Sequence, residues 1–281
     1  MHGYTILDVF TDTPLTGNPV AVFADGSDLE GAQMQRTARE LNLSETVFLL
    51  PSEDPETADA RMRIFTPGAE LPFAGHPVLG TAFVVGEERG TRRVRLQTGA
   101  GVVPVELRRE DNRIVYGEMD QPLPTVEPFE PTEQLLRALG VSGSELPVEA
   151  YRNGPVHVYV TLADEESVAA LRPDMRALID LGDFGVSCFA GAERRYKTRM
   201  FAPALGVPED PATGSAAGPL AVHLARHGRI PFGAQIEIHQ GVEVGRPSLL
   251  WASVEGAPDR IERVAVGGSA VLVARGEYRL G

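Results

Sequence analysis

The amino-acid sequence repeats part of itself at a shift of about half its length. The pattern Arg-x-Phe-x-Pro occupies residues 63–67 and returns 136 positions later at residues 199–203. The same shift places Pro-Val-Ala-Val at 19–22 over Pro-Val-His-Val at 155–158. Solenoid repeats are only about 20–50 residues long, so this shift favours two similar domains. A cleft between two such domains is the first place in which to expect a functional site.

The first half is predicted to be rich in strands, with one buried helix. That helix, at 77–87, is apolar nearly all round, which is typical of a helix enclosed by other elements. Pro77 suits its first position, because proline lacks the N–H that is unpaired there. Apolar periodicity and turn residues predict helices at 28–41 and 77–87, and strands at 4–10, 19–23, 44–50, 60–65, 94–97, 101–107 and 113–119.

The second half is predicted to follow a linker at 120–131, which holds four prolines. Its central helix, at 213–227, should be kinked at Pro219 and closed by Gly228. Thr132 is expected to cap the first helix of this half. The same patterns predict helices at 132–139, 165–171 and after Pro173, and strands at 157–162, 185–190, 196–201, 235–239, 248–254 and 265–275.

These elements predict an α+β fold. Each half combines several strands with one central, mostly apolar helix, and a sheet curled around that helix would bury it. We therefore expect two pseudo-symmetric domains, at residues 1–120 and 121–281, each a barrel-like β-sheet wrapped around its helix. The active site is expected in the cleft between them.

Charge and hydropathy argue against two classes of partner. The net charge of −13 disfavours nucleic acid, whose phosphates need a basic surface. No apolar run reaches the ~18 residues of a membrane-spanning helix, so no membrane partner is expected. The N-terminal residues lack the basic segment and apolar stretch of a signal peptide. A cytoplasmic location is the resulting expectation.

Cysteine and histidine usage limits metal and thiol chemistry. Cys188 is the only cysteine, which excludes a two-thiol mechanism within one chain, and its apolar surroundings predict a buried, inert thiol. His223 and His227 have the i, i+4 spacing of a helical metal pair, but no His-Glu-x-x-His pattern accompanies them. A surface role at the helix end is favoured for His227, and no metal site is predicted.

The two central helices begin with residues that suit anion binding. Gly75 and Gly214 would let a ligand approach the backbone, and Thr213 and Ser215 add hydroxyl donors. The first N–H groups of a helix are unpaired and carry partial positive charge. Two such starts in one cleft would hold a carboxylate-bearing substrate. The alternative is that these glycines only allow buried helices to pack closely.

Three titratable residues are candidates for acid–base chemistry. His76 and Asp210 stand at the two helix starts, one in each half. Histidine exchanges protons near neutral pH, but His76 could instead bond within its loop and Asp210 could only cap its helix. Glu45 precedes an apolar strand, where partial burial would raise its pKa and suit it to proton transfer. A solvated Glu45 is the simpler alternative.

Seven segments distributed along the chain form a recognisable set. They are Gly-Asn-Pro at 17–19 with Val-Phe at 22–23, Ser-Glu-Thr-Val-Phe at 44–48, Arg-Ile-Phe-Thr-Pro at 63–67, Glu-Leu-Pro-Phe-Ala-Gly-His-Pro at 70–77, Glu-Asp-Pro-Ala-Thr-Gly-Ser-Ala at 209–216, Gln-Gly at 240–241 and Gly-Arg-Pro-Ser at 245–248. Together they resemble the PhzF-like phenazine-biosynthesis isomerase family. The likeness runs from about residue 4 to about residue 275.

This resemblance implies a fold, a chemistry and an assembly. The fold is diaminopimelate epimerase-like, and its last strand, here near 271–274, can return to the first domain. Family members need no metal or organic cofactor and usually form homodimers. The best known family reaction isomerises a dihydro-hydroxyanthranilate, with a glutamate that moves a proton between ring carbons.

The resemblance also assigns roles to individual residues. The family's catalytic glutamate falls on Glu45, and its partner histidine and aspartate fall on His76 and Asp210. The family's serine falls on Ser215. With the helix-start residues Gly75 and Gly214 and with Asn18 of the Gly-Asn-Pro segment, it completes the predicted substrate-binding set.

Three functions remain open at this point. The first is a cofactor-independent isomerase that acts by proton transfer on a small carboxylate-bearing substrate, with Glu45 as acid/base. The second is a metabolite-binding protein with the same cleft and no turnover. The third, a self-associating scaffold with a vestigial cleft, is disfavoured because Glu45, His76, Asp210 and Ser215 are all present.

Overall fold

The computed structural model describes residues 1–280, which form eighteen strands and six α-helices. The first part of the chain contains β1 His2–Val9, β2 Asn18–Phe23, α1 Gly31–Leu41, β3 Glu45–Leu50, β4 Ala60–Phe65, β5 Glu70–Leu71, α2 Gly75–Arg89, β6 Arg93–Thr98, β7 Gly101–Glu110 and β8 Arg113–Asp120.

The second part begins with a short strand and ends with three long ones. It contains β9 Thr125–Pro128, α3 Thr132–Leu139, β10 Glu149–Arg152, β11 Val156–Thr161, α4 Glu165–Ala170, α5 Met175–Leu181, β12 Gly185–Ala192, β13 Arg195–Ala202, β14 Val207–Asp210, α6 Gly214–Arg226, β15 Gln235–Gln240, β16 Ser248–Ala257, β17 Arg260–Gly268 and β18 Ala270–Tyr278.

Strand pairing repeats in the two halves and confirms the predicted pseudo-symmetric α+β fold. In the first half, β2 runs parallel to β3, β4 is antiparallel to β3 and parallel to β6, and β6, β7 and β8 form a meander. In the second half, β11, β12, β13, β15, β16 and β17 pair in the same sequence and directions. The halves join where β8 pairs with β17.

Each half is completed by one further strand at its outer side. β18, the last strand of the chain, pairs with β1 of the first half. The corresponding strand of the second half is β9, which pairs with β10. The segment at 120–131 is therefore not a plain linker, because β9 lies within it and belongs to the sheet of the second half. We propose that the boundary between the domains falls between β8 and β9.

The two apolar helices lie at the centre of the halves. All residues of α6 from Gly214 to Ala225 are buried, and so are most of those of α2. Their low amphipathicity follows from this position, since a helix enclosed on every side needs no polar face. Pro219 lies inside α6, where it removes one helical hydrogen bond. Among residues 1–280, no helix is both long enough and apolar enough to span a bilayer.

The repeated Arg-x-Phe-x-Pro motif builds the same contact in each half. Arg63 binds Glu70 through two nitrogens, at 2.7 and 2.6 Å, and its guanidinium carbon lies 5.1 Å from the centre of the Phe65 ring. Arg199 forms the matching pair with Glu209, at 2.8 Å for both contacts, and lies 5.0 Å from the ring centre of Phe201. In each half, the motif thus links the strand that carries it, β4 or β13, to the next short strand, β5 or β14.

Three local predictions were wrong. The predicted strand at 265–275 is two strands, because the chain turns at Ser269 between β17 and β18. Thr132 does not cap α3; the N-cap is Pro131, and the Thr132 hydroxyl donates to the carbonyl of Phe129. Pro77 occupies the third rather than the first position of α2, which begins at Gly75.

Candidate active site

The first turns of α2 and α6 lie in direct contact. A Cβ atom at Gly75 would stand 2.4 Å from the carbonyl carbon of Gly214 and 2.4 Å from the nitrogen of Ser215. A Cβ at Gly214 would stand 2.9 Å from the ring of Phe10. Both positions therefore require glycine for close helix packing, which was the alternative to ligand binding in the sequence analysis. It also brings two positively polarised helix starts to one point.

A buried carboxyl and a buried imidazole meet beside this contact. Glu45 is the first residue of β3, and His76 is the second residue of α2. Glu45 Oε2 lies 3.2 Å from His76 Nε2, and the exposed fractions of the two side chains are 13% and 3%. The alternative of a solvated Glu45 is therefore wrong. Among residues 1–280, neither of these two atoms has a well-aligned hydrogen bond.

Asp210 completes the cluster from the second half. Its Oδ1 accepts from Asn18 Nδ2 at 2.8 Å and from Ser44 Oγ at 3.2 Å, and its Oδ2 accepts from Thr213 Oγ1 at 2.6 Å. Asn18 Nδ2 also lies 3.1 Å from His76 Nδ1. Side chains from both halves thus fix the aspartate next to the histidine.

Burial sets the protonation of this cluster. It raises the pKa of Glu45 well above its ordinary value, and the neighbouring charge of Asp210 raises it further. Burial also raises the pKa of Asp210 to about 6, although hydrogen bonds from Thr213, Asn18 and Ser44 oppose the rise. The pKa of His76 falls to about 3 for the same reason, so its imidazole is neutral at physiological pH. The site therefore holds two carboxyl groups that bind protons more tightly than exposed carboxyl groups do.

The site also contains two residues, Gln240 and His157, that were not among the predicted site residues. Gln240 donates through Nε2 to the carbonyl of Asp210 at 2.8 Å and to Thr213 Oγ1 at 3.0 Å. His157 is 2% exposed, and its Nε2 lies 3.0 Å from Ser215 Oγ. The Gln-Gly segment in the set of motifs is a signal for Gln240. His157 lies between two valines in a strand and gives no such signal.

Most of these residues line a small, partly open cavity of about 50 Å³. Its polar wall contains all three acid–base candidates together with Gly75, Gly214 and Ser215, while Asn18 supports the wall from behind. Apolar side chains form the rest of the wall. The lining residues are Glu45, Thr66, Leu71, Phe73, Ala74, Gly75, His76, Pro155, His157, Gly185, Met200, Ala202, Leu205, Val207, Asp210, Thr213, Gly214 and Ser215.

The remaining thiol and histidines lie in other surroundings. Cys188 is buried as predicted, and burial raises the pKa of its thiol to about 12. His223 Nδ1 and His227 Nε2 lie 3.2 and 2.9 Å from the same oxygen of Glu149. The spacing of these three groups would suit a cation, but Arg226 Nη1 also lies 3.2 Å from that oxygen and adds positive charge. We therefore describe the group as a hydrogen-bonded cluster between β10 and α6.

The architecture is one shared with racemases and epimerases. A probable proline racemase from Agrobacterium radiobacter superimposes with a TM-score of 0.69 at 13% identity, over 100% of this chain and 94% of its own. A PhzF-family phenazine biosynthesis protein from Bacillus anthracis gives a TM-score of 0.84 at 25% identity and 99% coverage of both chains. The racemase comparison concerns the fold alone.

Sequence comparison gives the family. Residues 7–276 match the family model PhzC-PhzF, described as phenazine biosynthesis-like protein, and the chain belongs to this family. The trans-2,3-dihydro-3-hydroxyanthranilate isomerase of Pseudomonas aeruginosa is 56% identical over the whole length of both chains. That of Pseudomonas chlororaphis is 54% identical over 98% of this chain and 99% of its own. The protein is accordingly an isomerase.

Proposed function

We propose that this isomerase moves a proton between carbon atoms of a small ring carboxylate, a dihydro-hydroxyanthranilate or a close relative, with Glu45 as the acid/base. The observation that supports this most is the buried contact between Glu45 and His76, 3.2 Å apart and beside Asp210. The substrate class comes from the names of relatives that are 53–56% identical to this chain.

The raised pKa of Glu45 suits it to both parts of the reaction. A carboxylate of ordinary pKa is a poor base toward carbon, and burial increases its proton affinity. The carboxyl that results can hold the proton and return it at another carbon, because the largely buried position of Glu45 limits its exchange with bulk water. The atoms balance without a redox step, since one C–H bond breaks, another forms and the double bonds shift.

His76 and Asp210 would hold the reacting groups in place. A neutral His76 can exchange a hydrogen bond with Glu45 in either protonation state of the carboxyl. Asp210, fixed by three side-chain donors, would accept a hydrogen bond from a substrate hydroxyl or amine. We assign the substrate carboxylate to the N–H groups of Gly75 and Gly214 and to the Ser215 hydroxyl, with Asn18 as a support for Asp210.

Replacement of Glu45 by Gln tests the assignment. The amide keeps the shape of the side chain and removes the proton carrier, so kcat for trans-2,3-dihydro-3-hydroxyanthranilate should fall by about 10²–10⁴-fold. Incorporation of deuterium from D₂O into the product, read by NMR or mass spectrometry, should fall with it. Glu127→Gln, an exposed change on β9 outside the cavity, is the control for general effects.

Other results would point elsewhere. Undiminished turnover by Glu45→Gln would contradict the role of Glu45. Tight binding of the substrate by the unmodified protein, with neither product nor deuterium uptake, would support the metabolite-binding alternative. The homodimer and the cytoplasmic location stay predictions, and sedimentation of the purified protein together with cell fractionation would test them.

A further inference from the structure

One carbonyl in the first turn of α6 lacks its donor within the helix. A carbonyl in an α-helix accepts from the N–H four residues later, so the carbonyl of Ser215 would accept from residue 219. That residue is Pro219, which has no N–H and whose ring crowds the same carbonyl. Ser215 is buried, so its carbonyl needs a donor from another part of the chain.

Asn153 supplies this donor. It directly follows β10, and its Nδ2 donates to the Ser215 carbonyl at 2.8 Å. Asn153 is only 3% exposed, so the bond is made in surroundings with little water. Its Oδ1 makes no hydrogen bond among residues 1–280. The contact with Ser215 is thus the shortest polar contact of this buried amide.

The carbonyls on either side of Ser215 also accept from side chains. Gln121 Nε2 donates to the carbonyl of Gly214 at 2.8 Å, and the Tyr159 hydroxyl donates to that of Ala216 at 2.6 Å. The residues four positions after Gly214 and Ala216 both carry an N–H. Only the Ser215 carbonyl therefore depends on a side chain in place of its helical partner.

The turn held in this way borders the candidate active site. Gly214 and Ser215 line the cavity. A Cβ at Gly75 would stand only 2.4 Å from the nitrogen of Ser215, so the two helix starts pack without spare room. A change in the direction of the Ser215 peptide would therefore alter both the cavity wall and the contact with α2.

We propose that Asn153 is a positioning residue: its amide replaces the N–H that Pro219 lacks and thereby holds Gly214 and Ser215 in place at the site. Asn153 is not among the cavity-lining residues, so it acts through α6. The effect on substrate rests on the proposed function, whereas the compensation between Asn153 and Pro219 does not. Contacts from this turn hold the substrate before and during reaction alike, so their loss should appear in KM.

A double-mutant cycle tests the compensation. Asn153→Ala should lower the melting temperature by about 4 °C, because it leaves a buried carbonyl unpaired. In protein that already carries Pro219→Ala, residue 219 has an N–H, and the same change should lower the melting temperature by less than about 2 °C. If Asn153→Ala alone does not fold, the double variant should still fold.

Steady-state kinetics test the effect on the site. For trans-2,3-dihydro-3-hydroxyanthranilate, well below the melting temperature, Asn153→Ala should raise KM about tenfold and leave kcat within about threefold. Added to Pro219→Ala, it should raise KM by less than about threefold. A role in stability alone would leave KM unchanged. Pro231→Ala, at an exposed position after α6, is the control and should not relieve the effect of Asn153→Ala.

Three results would overturn the inference. They are equal losses in melting temperature with and without Pro219→Ala, an unchanged KM in Asn153→Ala, and a double variant that folds no better than an unfolded Asn153→Ala protein. A compensated melting temperature together with no isomerisation by the unmodified protein would support the replacement bond and reject the proposed function instead.

Discussion

The two halves of this molecule share a frame but differ in the chemistry that they carry. In each half, an arginine binds a glutamate and lies over a phenylalanine ring, and a buried helix that begins with glycine follows. These contacts are matched almost atom for atom. The titratable side chains at the site are not matched between the halves. The duplicated contacts therefore serve stability, and the residues near each helix start differ.

Strand register makes this difference explicit. Ala21 and His157 occupy the same place in the repeat, and they stand beside Thr46 and Gly185 in parallel pairs. Glu45 therefore corresponds to Phe184, a core residue with 8% exposure. The first half supplies a buried acid where the second has an aromatic ring. In the proposed function, this asymmetry would correspond to one base acting on one face of the substrate, rather than to a symmetric two-base racemisation.

The largest expected effect concerns the contact of the two helix starts. Gly75→Ala would place a methyl group against backbone atoms of Gly214 and Ser215 that have no room to move. We expect a loss of more than about 3 kcal/mol in the free energy of unfolding, by analogy with severe overpacking. Gly214→Ala meets the ring of Phe10 at the longer distance of 2.9 Å, a side chain rather than backbone, and should cost less. Urea denaturation measures both values.

Gly143 supplies the control for this comparison. A Cβ at this exposed position meets no atom within 4 Å, so Gly143→Ala should change the unfolding free energy by no more than about 0.5 kcal/mol. Equal stabilities of the Gly75 and Gly214 variants would mean that the contact is softer than the distances indicate.

The two arginine–glutamate pairs should contribute different amounts to the free energy of unfolding. Arg199 is 6% exposed, and its Nη1 donates to the carbonyls of Ala169 and Leu171 at 3.1 and 2.9 Å in addition to the pair with Glu209. Arg199→Ala should lose about 3–5 kcal/mol, because it leaves a buried carboxylate unpaired. Arg63 is 26% exposed, so Arg63→Ala should lose about 1–2 kcal/mol. Similar losses would show that burial does not control the strength of this contact.

The smallest expected effect has the opposite sign. Because the folded-state pKa of Glu45 is raised, the unfolded chain loses its proton first as pH rises above about 4.3, and the folded form becomes relatively less stable. Glu45→Gln does not titrate, so it should be more stable than the unmodified protein at pH 7 by about 1–2 kcal/mol. Melting temperatures at pH 4 and pH 7 check this, since the difference should vanish at the lower pH.

Asp210 provides the contrast to that gain. Its carboxylate accepts from Asn18, Ser44 and Thr213, and an amide in its place would turn a donor toward one of them. Asp210→Asn should therefore not become more stable at pH 7. A gain equal to that of Glu45→Gln would mean that these hydrogen bonds do not offset the burial of the charge.

Much of the fold could be predicted because its local signals agree with its tertiary contacts. Strand β4 at Ala60–Phe65 and helix α3 at Thr132–Leu139 were predicted at their observed bounds. The linker prediction failed because β9, a short strand with two exposed ends, contains Pro128 and follows Pro122 and Pro124, and proline disfavours a strand in the interior of a sheet. The turn at Ser269 was missed although Gly267 and Gly268 precede it, since the apolar residues on either side read as one continuous strand.

The site was predictable where a residue type stood at a distinctive position. Glu45 and His76 lie at the starts of β3 and α2, Asp210 ends β14 shortly before α6, and the structure brings the three together. The exclusion of a side chain by the helix contact at Gly75 depends on how two distant segments pack, which no local pattern encodes. His157 was missed for a related reason, because only the pairing of β11 with β12 reveals that its ring borders a cavity.

The pairing of the last strand, β18, with the first, β1, has a consequence for biosynthesis. The sheet of the first half lacks its outer strand until residues 270–278 have left the ribosome, after every residue of the second half. During translation, the edge of β1 that later pairs with β18 therefore stays unpaired. An unpaired strand edge is an aggregation hazard for a nascent chain. Contacts of such long sequence separation also slow folding. We expect emergence of residues 270–278, rather than emergence of residues 1–120, to start productive closure of the amino-terminal sheet.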